Sequence, residues 1–292
     1  MTHAKRLREL LAGRELIVAP GVYDGISAAL VGKLGFPAAY MTGAGVCASA
    51  YGLPDIGLLT LSEMAERARV LVGLLDVPLI ADADTGYGSP INVVRTVREY
   101  ERAGVAAIQL EDQVFPKRCG HLAGKDVIDA ERFAFTLRAA LDARADPDTM
   151  IVARTDARAP LGIEEAIARA RRYAEIGADV IFVEAPQSVE EIKQIAAEVD
   201  APLLLNVVPG GRTPELPQQR LAELGFRIAI HPGAALAAVV PAAIQALTAL
   251  RDQTPSLDGT VSPEGFFDLF GLTAWNELGD RYRETDNASL AS

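Results

Sequence analysis

Short apolar runs alternate with amphipathic segments along most of the chain. Eight runs are rich in branched residues and nearly continuous in hydrophobicity, which is typical of parallel strands buried on both faces. They lie at 16–21, 38–43, 78–84, 107–112, 150–156, 180–185, 203–208 and 227–232. The segments between them space apolar residues three and four positions apart, and several end in glycine, so they predict helices.

Eight strand–helix units in about 250 residues predict a (β/α)8 barrel of the TIM type, an α/β fold. A doubly wound open sheet is the alternative. That fold calls for a glycine-rich phosphate turn of the form G-x-G-x-x-G after the first strand, and the sequence there reads VAPGVYDG. We therefore predict a barrel domain over residues 1–255.

The pattern breaks after about residue 255. Residues 256–292 hold three of the nine Phe and the only Trp, which is too apolar for a free tail. We predict a C-terminal helical arm there. Either it packs against a neighbouring subunit or it folds back on its own barrel, and the residues alone leave both arrangements open.

Composition narrows the class of protein. Hydrophobic residues make up 50% of the 292 residues and charged residues 23%, which is ample for a large core and argues against disorder. The net charge of −11 disfavours nucleic acid and anionic membrane surfaces as partners. No apolar run reaches the ~18 residues of a membrane span. The charged start lacks the features of a signal peptide, and two cysteines suit a reducing compartment, so we expect a cytoplasmic protein.

Polar residues end most of the predicted strands. In a barrel of this type the functional site lies at the carboxyl ends of the strands. One such residue can simply cap the next helix. A whole ring of them, rich in carboxylates, indicates a site. The ring consists of Thr42, Asp82, Asp84, Glu111, Asp112, Arg154, Asp156, Glu184, Asn206 and His231.

Four carboxylates of this region predict a metal. Asp82 and Asp84 lie two residues apart, which places them on one face of a strand. Glu111 ends the next strand, and Asp55 in YGLPD can reach the same corner. Oxygen ligands without adjacent His or Cys favour Mg²⁺ or Mn²⁺ over Zn²⁺. The alternative is a set of helix caps and salt bridges.

A cation at this corner suits a small anionic substrate. Arg154 offers a planar fork for a carboxylate. Asn206 can orient a further oxygen, and the backbone amides around Thr42, Gly43 and Ala44 can bind another. Together these residues fit a small, doubly charged organic acid that is chelated at one end.

Five motifs resemble one known family over about residues 5–285. EDQ…PKRCGH, DADTGYG, YGLPD, ARTDAR and FVEAP are similar to the isocitrate lyase/phosphoenolpyruvate mutase superfamily. The K-[KR]-C-G-H string resembles its carbon–carbon lyase branch and near relatives such as 2-methylisocitrate lyase, 2,3-dimethylmalate lyase and carboxyphosphonoenolpyruvate mutase. The resemblance implies a homotetramer, a dimer of dimers whose C-terminal helices are exchanged between subunits.

The resemblance also implies roles at matching positions. Asp55, Asp82, Asp84 and Glu111 would surround Mg²⁺, with Asp82 closest. Thr42, Gly43 and Ala44, near Tyr40, would bind substrate together with Arg154, Asn206 and Gly120. Glu184 would support the site and His121 would assist, while Cys119 would be the acid/base on a mobile loop.

The charges beside Cys119 bear on that role. Because Lys117, Arg118 and His121 are its neighbours, we expect the pKa of the thiol to be lowered and the string to be too polar for burial. Cys47, among small apolar residues, is expected only to pack.

The implied reaction cleaves the C2–C3 bond of a 2-hydroxy acid of the 2-methylisocitrate or 2-alkylmalate type, giving a 2-keto acid such as pyruvate and a carboxylate. The alternatives are a phosphonomutase, an oxaloacetate hydrolase or a barrel that binds a metabolite without catalysis. Pro209 stands where many relatives have Glu, and Gly233 and Ala234 replace P-L-[ST], so the substrate stays open.

Overall fold

The strands of the protein close into one barrel. The computed structural model describes residues 1–122, 124–254 and 261–289. Each strand pairs in parallel with the next along the chain, and pairing of the first with the last closes the ring, which confirms the (β/α)8 prediction over the open sheet. The strands are β1 Ile17–Val22, β2 Ala39–Met41, β3 Leu79–Asp82, β4 Ala107–Glu111, β5 Met150–Thr155, β6 Val180–Val183, β7 Leu203–Asn206 and β8 Phe226–His231. Each overlaps one predicted run.

Helices follow the strands, and their ends are set by local sequence. The side chains of Thr60 and Glu63 form a capping box at the start of the helix Leu61–Leu74, and Gly104 and Gly177 end the helices Pro90–Ala103 and Ile163–Ile176 in left-handed conformation. The helices are α1 His3–Ala12, α2 Gly25–Lys33, α3 Gly43–Val46, α4 Leu61–Leu74, α5 Pro90–Ala103, α6 Ala130–Ala143, α7 Arg158–Leu161, α8 Ile163–Ile176, α9 Val189–Glu198, α10 Gln218–Glu223, α11 Ala234–Arg251, α12 Pro263–Asp268 and α13 Leu272–Ser289. A π-helical turn, Cys47–Tyr51, follows α3.

Side chains alternate between the two faces of each strand, and this alternation divides the core into two layers. On β5, Val152 belongs to a cluster drawn from strands all round the barrel, with Leu7 of α1 at its edge. Ile151 and Ala153 belong to the larger cluster between strands and helices. Residues of the Val152 parity therefore face the barrel axis. Arg154 continues that inward parity at the carboxyl end of the same strand.

Asp112 has the opposite parity, and its carboxylate serves the scaffold. It is fully buried and accepts hydrogen bonds from the Thr155 hydroxyl at 2.7 Å and the Asp156 backbone N–H at 2.9 Å. Arg169 Nη1 and the Tyr173 hydroxyl of α8 each donate to it at 3.0 Å. This part of the sequence-based ring is corrected: Asp112 ties α8 to the end of β5 and does not line the pocket.

Met1–Ala237 and Ala238–Ser292 form separate compact units. In the second unit, Phe266 makes edge-to-face contacts with Phe267 and Phe270, with ring centroids 5.4 and 5.6 Å apart. The domain boundary predicted at residue 255 falls outside the described residues, as do 290–292. The division into a barrel and an arm therefore stays a prediction.

Helix α11 is more apolar than expected. By length and composition alone it could cross a membrane, with a mean hydropathy of 1.6 over its 18 residues. The expectation that no segment reaches this length is therefore wrong. A single such helix is weak evidence for a membrane span. Its Val239, Val240, Ile244 and Leu247 are all exposed, and an exposed apolar helix also suits packing against another protein surface.

We expect Asp112→Asn to lower the free energy of unfolding by about 3 kcal/mol, because it removes the buried one of the two carboxylates paired with Arg169 and leaves only the more exposed Glu165. Urea unfolding followed by circular dichroism measures the change. The control, Tyr173→Phe, removes one hydrogen bond to the same carboxylate and should cost about 1 kcal/mol. Equal losses in the two variants would contradict the role of the charge.

Candidate active site

A cavity of about 160 Å³ opens at the carboxyl ends of the strands. Most of the predicted site residues line it, and its wall also includes residues that were not predicted as site residues. The predicted ones are Tyr40, Thr42, Ala44, Asp55, Asp82, Cys119, Gly120, His121, Arg154, Glu184 and Asn206. The additional ones are Gly45, Lys117, Arg118, Val208, Pro232, Gly233 and Leu236. Gly43, Asp84 and Glu111 lie behind this surface.

Asp82 is the centre of the acidic corner. It ends β3 and is buried, with one carboxylate oxygen 3.3 Å from the donating Gly43 N–H. The other oxygen accepts from the Asp84 N–H at 3.1 Å and from Gln109 Nε2 at 3.3 Å. A Cβ at position 43 would lie 2.7 Å from the carboxylate, so glycine permits this close approach. The orientation of Asp82 is therefore fixed from three sides.

Asp84 reaches the same corner by a route that differs from the prediction. The strand ends at Asp82, and Asp84 has a φ of 47°, so strand alternation does not place it. Its carboxylate pairs with Lys117 Nζ at 2.7 Å, and the same ammonium contacts the Asp55 carboxylate. Lys117 is 3% exposed, so the expectation that the K-R-C-G-H string cannot be buried is wrong for this residue.

The site buries more negative than positive charge. Among the described residues, six acidic side chains are buried against four basic ones, an excess of two negative charges. The acidic ones are Asp82, Asp84, Glu111, Asp112, Asp156 and Glu184, and the basic ones are Lys117, Lys125, Arg154 and Arg169. Burial, together with Asp82 and Asp55, raises the pKa of Asp84 to about 6 against the opposing effect of Lys117. Burial also raises the pKa of Glu111 well above its usual value.

These residues fit a divalent cation. A dication would match the charge excess, and within the described chain Glu111 Oε1 is a buried carboxylate oxygen without a hydrogen-bond partner. No three described His, Cys, Asp or Glu side chains are grouped as a ready ion cage, however. Mg²⁺ usually keeps several waters and takes one or two carboxylates directly, so a complete cage is not required.

Arg154 forms the opposite pole of the pocket. Its Nε and Nη2 donate to the two oxygens of Asp156 at 2.8 and 3.1 Å. Nη1 lies 3.3 Å from Glu111 Oε2, and the guanidinium carbon lies 5.2 Å from the centre of the Phe182 ring. The bidentate bond to Asp156 fixes the plane of the fork. Any effect of Asp156 on a bound substrate is therefore transmitted by the orientation of the Arg154 side chain.

Asn206, Glu184 and His121 meet on the next side of the cavity. Asn206 Nδ2 donates to both Glu184 oxygens at 3.3 Å and lies 3.2 Å from His121 Nε2. Burial lowers the pKa of His121, so the ring is neutral near pH 7. His121 Nδ1 accepts from the Arg212 N–H at 3.2 Å, and its Nε2 lies 3.5 Å from Glu184 Oε1.

Comparison with known proteins identifies the family. Residues 7–251 match the family described as phosphoenolpyruvate phosphomutase. The chain is 48% identical to 2,3-dimethylmalate lyase of Eubacterium barkeri, over 97% of this chain and 99% of the relative. The chain belongs to the phosphoenolpyruvate mutase/isocitrate lyase superfamily.

Other members of the superfamily are also similar. The 2-methylisocitrate lyase of Aeropyrum pernix is 46% identical over 91% of this chain and 86% of its own. A structure of oxaloacetate acetylhydrolase with 3,3-difluorooxalacetate superposes with a TM-score of 0.92 at 42% identity, over 96% of this chain and 97% of that one. Phosphonopyruvate hydrolase with oxalate and Mg²⁺ gives 0.87 at 31%, over 97% and 99%. The chain is an enzyme of this superfamily, a carbon–carbon lyase acting on small carboxylates.

Two kinds of residue escaped the sequence reasoning. Gln109 lies two positions before Glu111 on β4, so strand parity points it into the barrel, where it bonds Asp82 and accepts from the Tyr40 hydroxyl at 3.1 Å. The sequence shows Lys117 only as a neighbour of Cys119. The fold instead carries it to Asp55 and Asp84, which lie far from it in sequence.

His231, the last residue of β8, does not line the cavity.

The pKa of the Cys119 thiol differs from the sequence-based expectation. Burial raises its pKa, and Asp55 and Glu184 add to the shift, against the lowering effects of the bond from the His121 backbone and of Arg154. The expected lowering is therefore wrong in this structure. Adjacent charges in sequence did not act as expected, because Lys117 turns towards two aspartates. The raised pKa keeps the thiol protonated near pH 7.

Titration of Cys119 should therefore give a pKa above the ~8.5 of an unperturbed thiol. The difference in absorbance near 240 nm between Cys47→Ala and Cys47→Ala/Cys119→Ser, measured between pH 6 and 11, reports the Cys119 thiolate, because both variants carry the same seven tyrosines. Cys119→Ser is the matched control and reports Cys47, whose pKa burial raises to about 12. A Cys119 thiolate at pH 7 would contradict the structure.

Proposed function

We propose that the chain is a Mg²⁺-dependent lyase that cleaves the C2–C3 bond of a 2-alkylmalate-type 2-hydroxy acid. The products are a 2-keto acid such as pyruvate and a carboxylate. The observation that carries the proposal is one small cavity on which Asp82, Arg154 and Cys119 all converge. A barrel that only bound a metabolite would not need a thiol beside a metal site and beside an arginine that binds carboxylates.

The acidic corner is proposed to hold the metal. Asp82 would be the direct ligand, and Asp55, Asp84 and Glu111 would hold its waters, with Mn²⁺ as a substitute ion. When bound, the cation supplies Lewis-acid polarisation of the substrate's hydroxyl and carboxylate oxygens. The orphaned Glu111 Oε1 and the excess of buried negative charge support this assignment.

The remaining residues bind the substrate and move its protons. Arg154 and Asn206 hold a carboxylate, and the amides at Gly43 and Ala44 beside Thr42 bind a further oxygen. Tyr40 orients this wall as a hydrogen-bond donor, since burial raises the pKa of its phenol well above its usual value. A pocket carboxylate takes the hydroxyl proton, the C2–C3 electron pair moves to C3, and C2 becomes the keto carbon.

Cys119 is proposed to complete the reaction as general acid. Its protonated thiol delivers one proton to C3 of the enolate-like fragment, which releases the carboxylate product. Gly120 lets the neighbouring backbone approach the site, and His121 assists with Glu184 in binding the leaving carboxylate. The raised pKa of the thiol supports an acid role, because the proton is present at pH 7.

The far wall of the cavity favours a small alkyl group on the substrate. Val208, Pro232 and Leu236 line this end with apolar atoms. A methyl group would bury against them, whereas an additional carboxylate, as in 2-methylisocitrate, would lose solvation against these apolar atoms. We therefore expect 2,3-dialkylmalates to be better substrates than tricarboxylates. Pro209, Gly233 and Ala234, where the sequence departs from the family pattern, lie along this stretch of chain.

The assembly and location are proposed on the same basis. A homotetramer, with arms exchanged between subunits, would cover the exposed apolar side chains of α11, such as Val240 and Leu247. A cytoplasmic enzyme without nucleic-acid or membrane partners agrees with the acidic composition.

The proposal is tested by assaying keto-acid release from 2,3-dimethylmalate, 2-methylisocitrate and oxaloacetate with Mg²⁺, and by phosphorus NMR on phosphonates. We expect turnover to be fastest with dimethylmalate. Cys119→Ser should lower kcat by about 10³-fold while Mg²⁺ and pyruvate still bind, because only proton delivery is lost. Cys47→Ala is the control. Unchanged turnover in Cys119→Ser, or turnover of a phosphonate alone, would overturn the proposal.

Metal removal gives an independent prediction. EDTA should abolish turnover, and added Mg²⁺ should restore it, with Mn²⁺ as a partial substitute. Mg²⁺ with pyruvate should raise the melting temperature of the wild type but not of Asp82→Asn, since binding to the folded state alone stabilises it. Full activity of a metal-free sample would refute the metal assignment.

A further inference from the structure

Lys125 is a buried lysine that neither the proposed reaction nor the metal corner uses. Its side chain is 1% exposed, and its ammonium lies 2.6 Å from Asp156 Oδ1. The same Nζ donates to the backbone carbonyl of Gly120. Lysine is almost never fully buried unless it is paired. The cost of burying this ammonium is offset by two contacts, one to the wall of the site and one to the loop that carries Cys119.

Asp156 connects those contacts to the substrate pole. Its Oδ1, which binds Lys125, also accepts from Arg154 Nη2 at 3.1 Å, and its Oδ2 accepts from Arg154 Nε at 2.8 Å. Asp156 is itself held from behind, because its backbone N–H donates to Asp112 at 2.9 Å. One fixed carboxylate therefore orients both the proposed substrate fork and the lysine.

Gly120 can accept from Lys125 only because the loop lies tightly against the site. A Cβ at this position would come within 1.8 Å of Glu184 Oε1 and 2.5 Å of Arg154 Nη2. The Gly120 carbonyl is thus held where its neighbour Cys119 faces the cavity. A displacement of the loop away from Glu184 would break the contact with Lys125.

Two other side chains, those of Gln113 and Arg212, hold the same loop at its edges. Gln113 Nε2 donates to the Arg118 carbonyl at 2.8 Å, and the Arg118 N–H donates to Gln113 Oε1 at 2.9 Å. Arg212 Nε donates to the His121 carbonyl at 3.2 Å, in an exposed setting. Lys125 differs from both, because its charged partner also holds Arg154.

We propose that Lys125 is a positioning residue that holds the Cys119–Gly120 backbone closed over the pocket and couples this closure to Arg154 through Asp156. The inference deepens the proposed function and rests on Cys119 as its general acid. The contact itself joins residues of this chain alone. It can therefore be measured apart from turnover.

The first readout is the rate at which iodoacetamide alkylates Cys119, followed by peptide mass spectrometry on the full-length protein without ligand. In Lys125→Met the loop loses a charge-assisted contact, so we expect labelling to be about tenfold faster. Lys125→Arg, which keeps the charge and donors, should restore most of the protection. The buried Cys47 is the internal control, and the exposed Lys193→Met is the matched substitution.

The second readout is kinetic. Lys125→Met should lower kcat about tenfold or more with a smaller change in KM, because Cys119 is misplaced while Arg154 keeps its bidentate bond to Asp156. Lys125→Arg should recover part of kcat, and Lys193→Met should match the wild type. A purely structural role would lower the melting temperature without this split or this rescue.

Equal Cys119 labelling in the wild type and Lys125→Met would overturn the inference, whatever the turnover. If no 2-hydroxy acid is cleaved by the wild type, the proposed function fails, and the labelling result still decides the closure contact. Should Lys125→Met not fold, Lys125→Gln replaces it, because it keeps a donor and loses the charge. Wild-type labelling in that variant would equally overturn the inference.

Discussion

The carboxyl end of the barrel buries more carboxylates than cations, and the arrangement of the site follows from how that imbalance is compensated. Buried charge is costly unless it is paired. Two of the buried cations accordingly serve more than one acid: Lys117 joins Asp55 and Asp84, and Arg154 joins Asp156 to Glu111. Burial, with the neighbouring carboxylates adding to it, raises the pKa of Asp84 and Glu111, which makes the corner a place where a cation would be stabilised.

The scaffold and the site are built from opposite faces of the same strands. Inward positions supply Gln109, Glu111 and Arg154, while the outward Asp112 bonds Arg169 of α8. The two systems meet where Asp112 accepts the backbone N–H of Asp156. The packing of a helix outside the barrel thereby helps to fix the carboxylate that orients Arg154. This connection gives the site a rigid base, as a preorganised active site requires.

The loop that carries Cys119 is held by Gln113 and Lys125, which flank it in the sequence, and by the distant Arg212. These side chains donate to three backbone carbonyls of the loop, those of Arg118, Gly120 and His121. Their combined effect is to bury the thiol partly, which raises its pKa. For a group that must give up a proton at neutral pH, this protonated state is useful, whereas a nucleophile would need the opposite shift.

The sequence by itself determined the barrel, because eight buried parallel strands leave a repeating apolar signal, and strand ends such as Asp82, Arg154 and Asn206 must meet at one rim. The motifs also indicated the superfamily to which the chain belongs. Only the tertiary structure decided where charged side chains point when no strand constrains them. Asp84 follows a left-handed turn, Asp112 faces a helix, and Lys117 and Lys125 reach partners far from them in sequence. The pKa of Cys119 could not be predicted from the sequence for the same reason. It depends on burial of the thiol, which the tertiary structure creates and the adjacent residues in the sequence do not indicate.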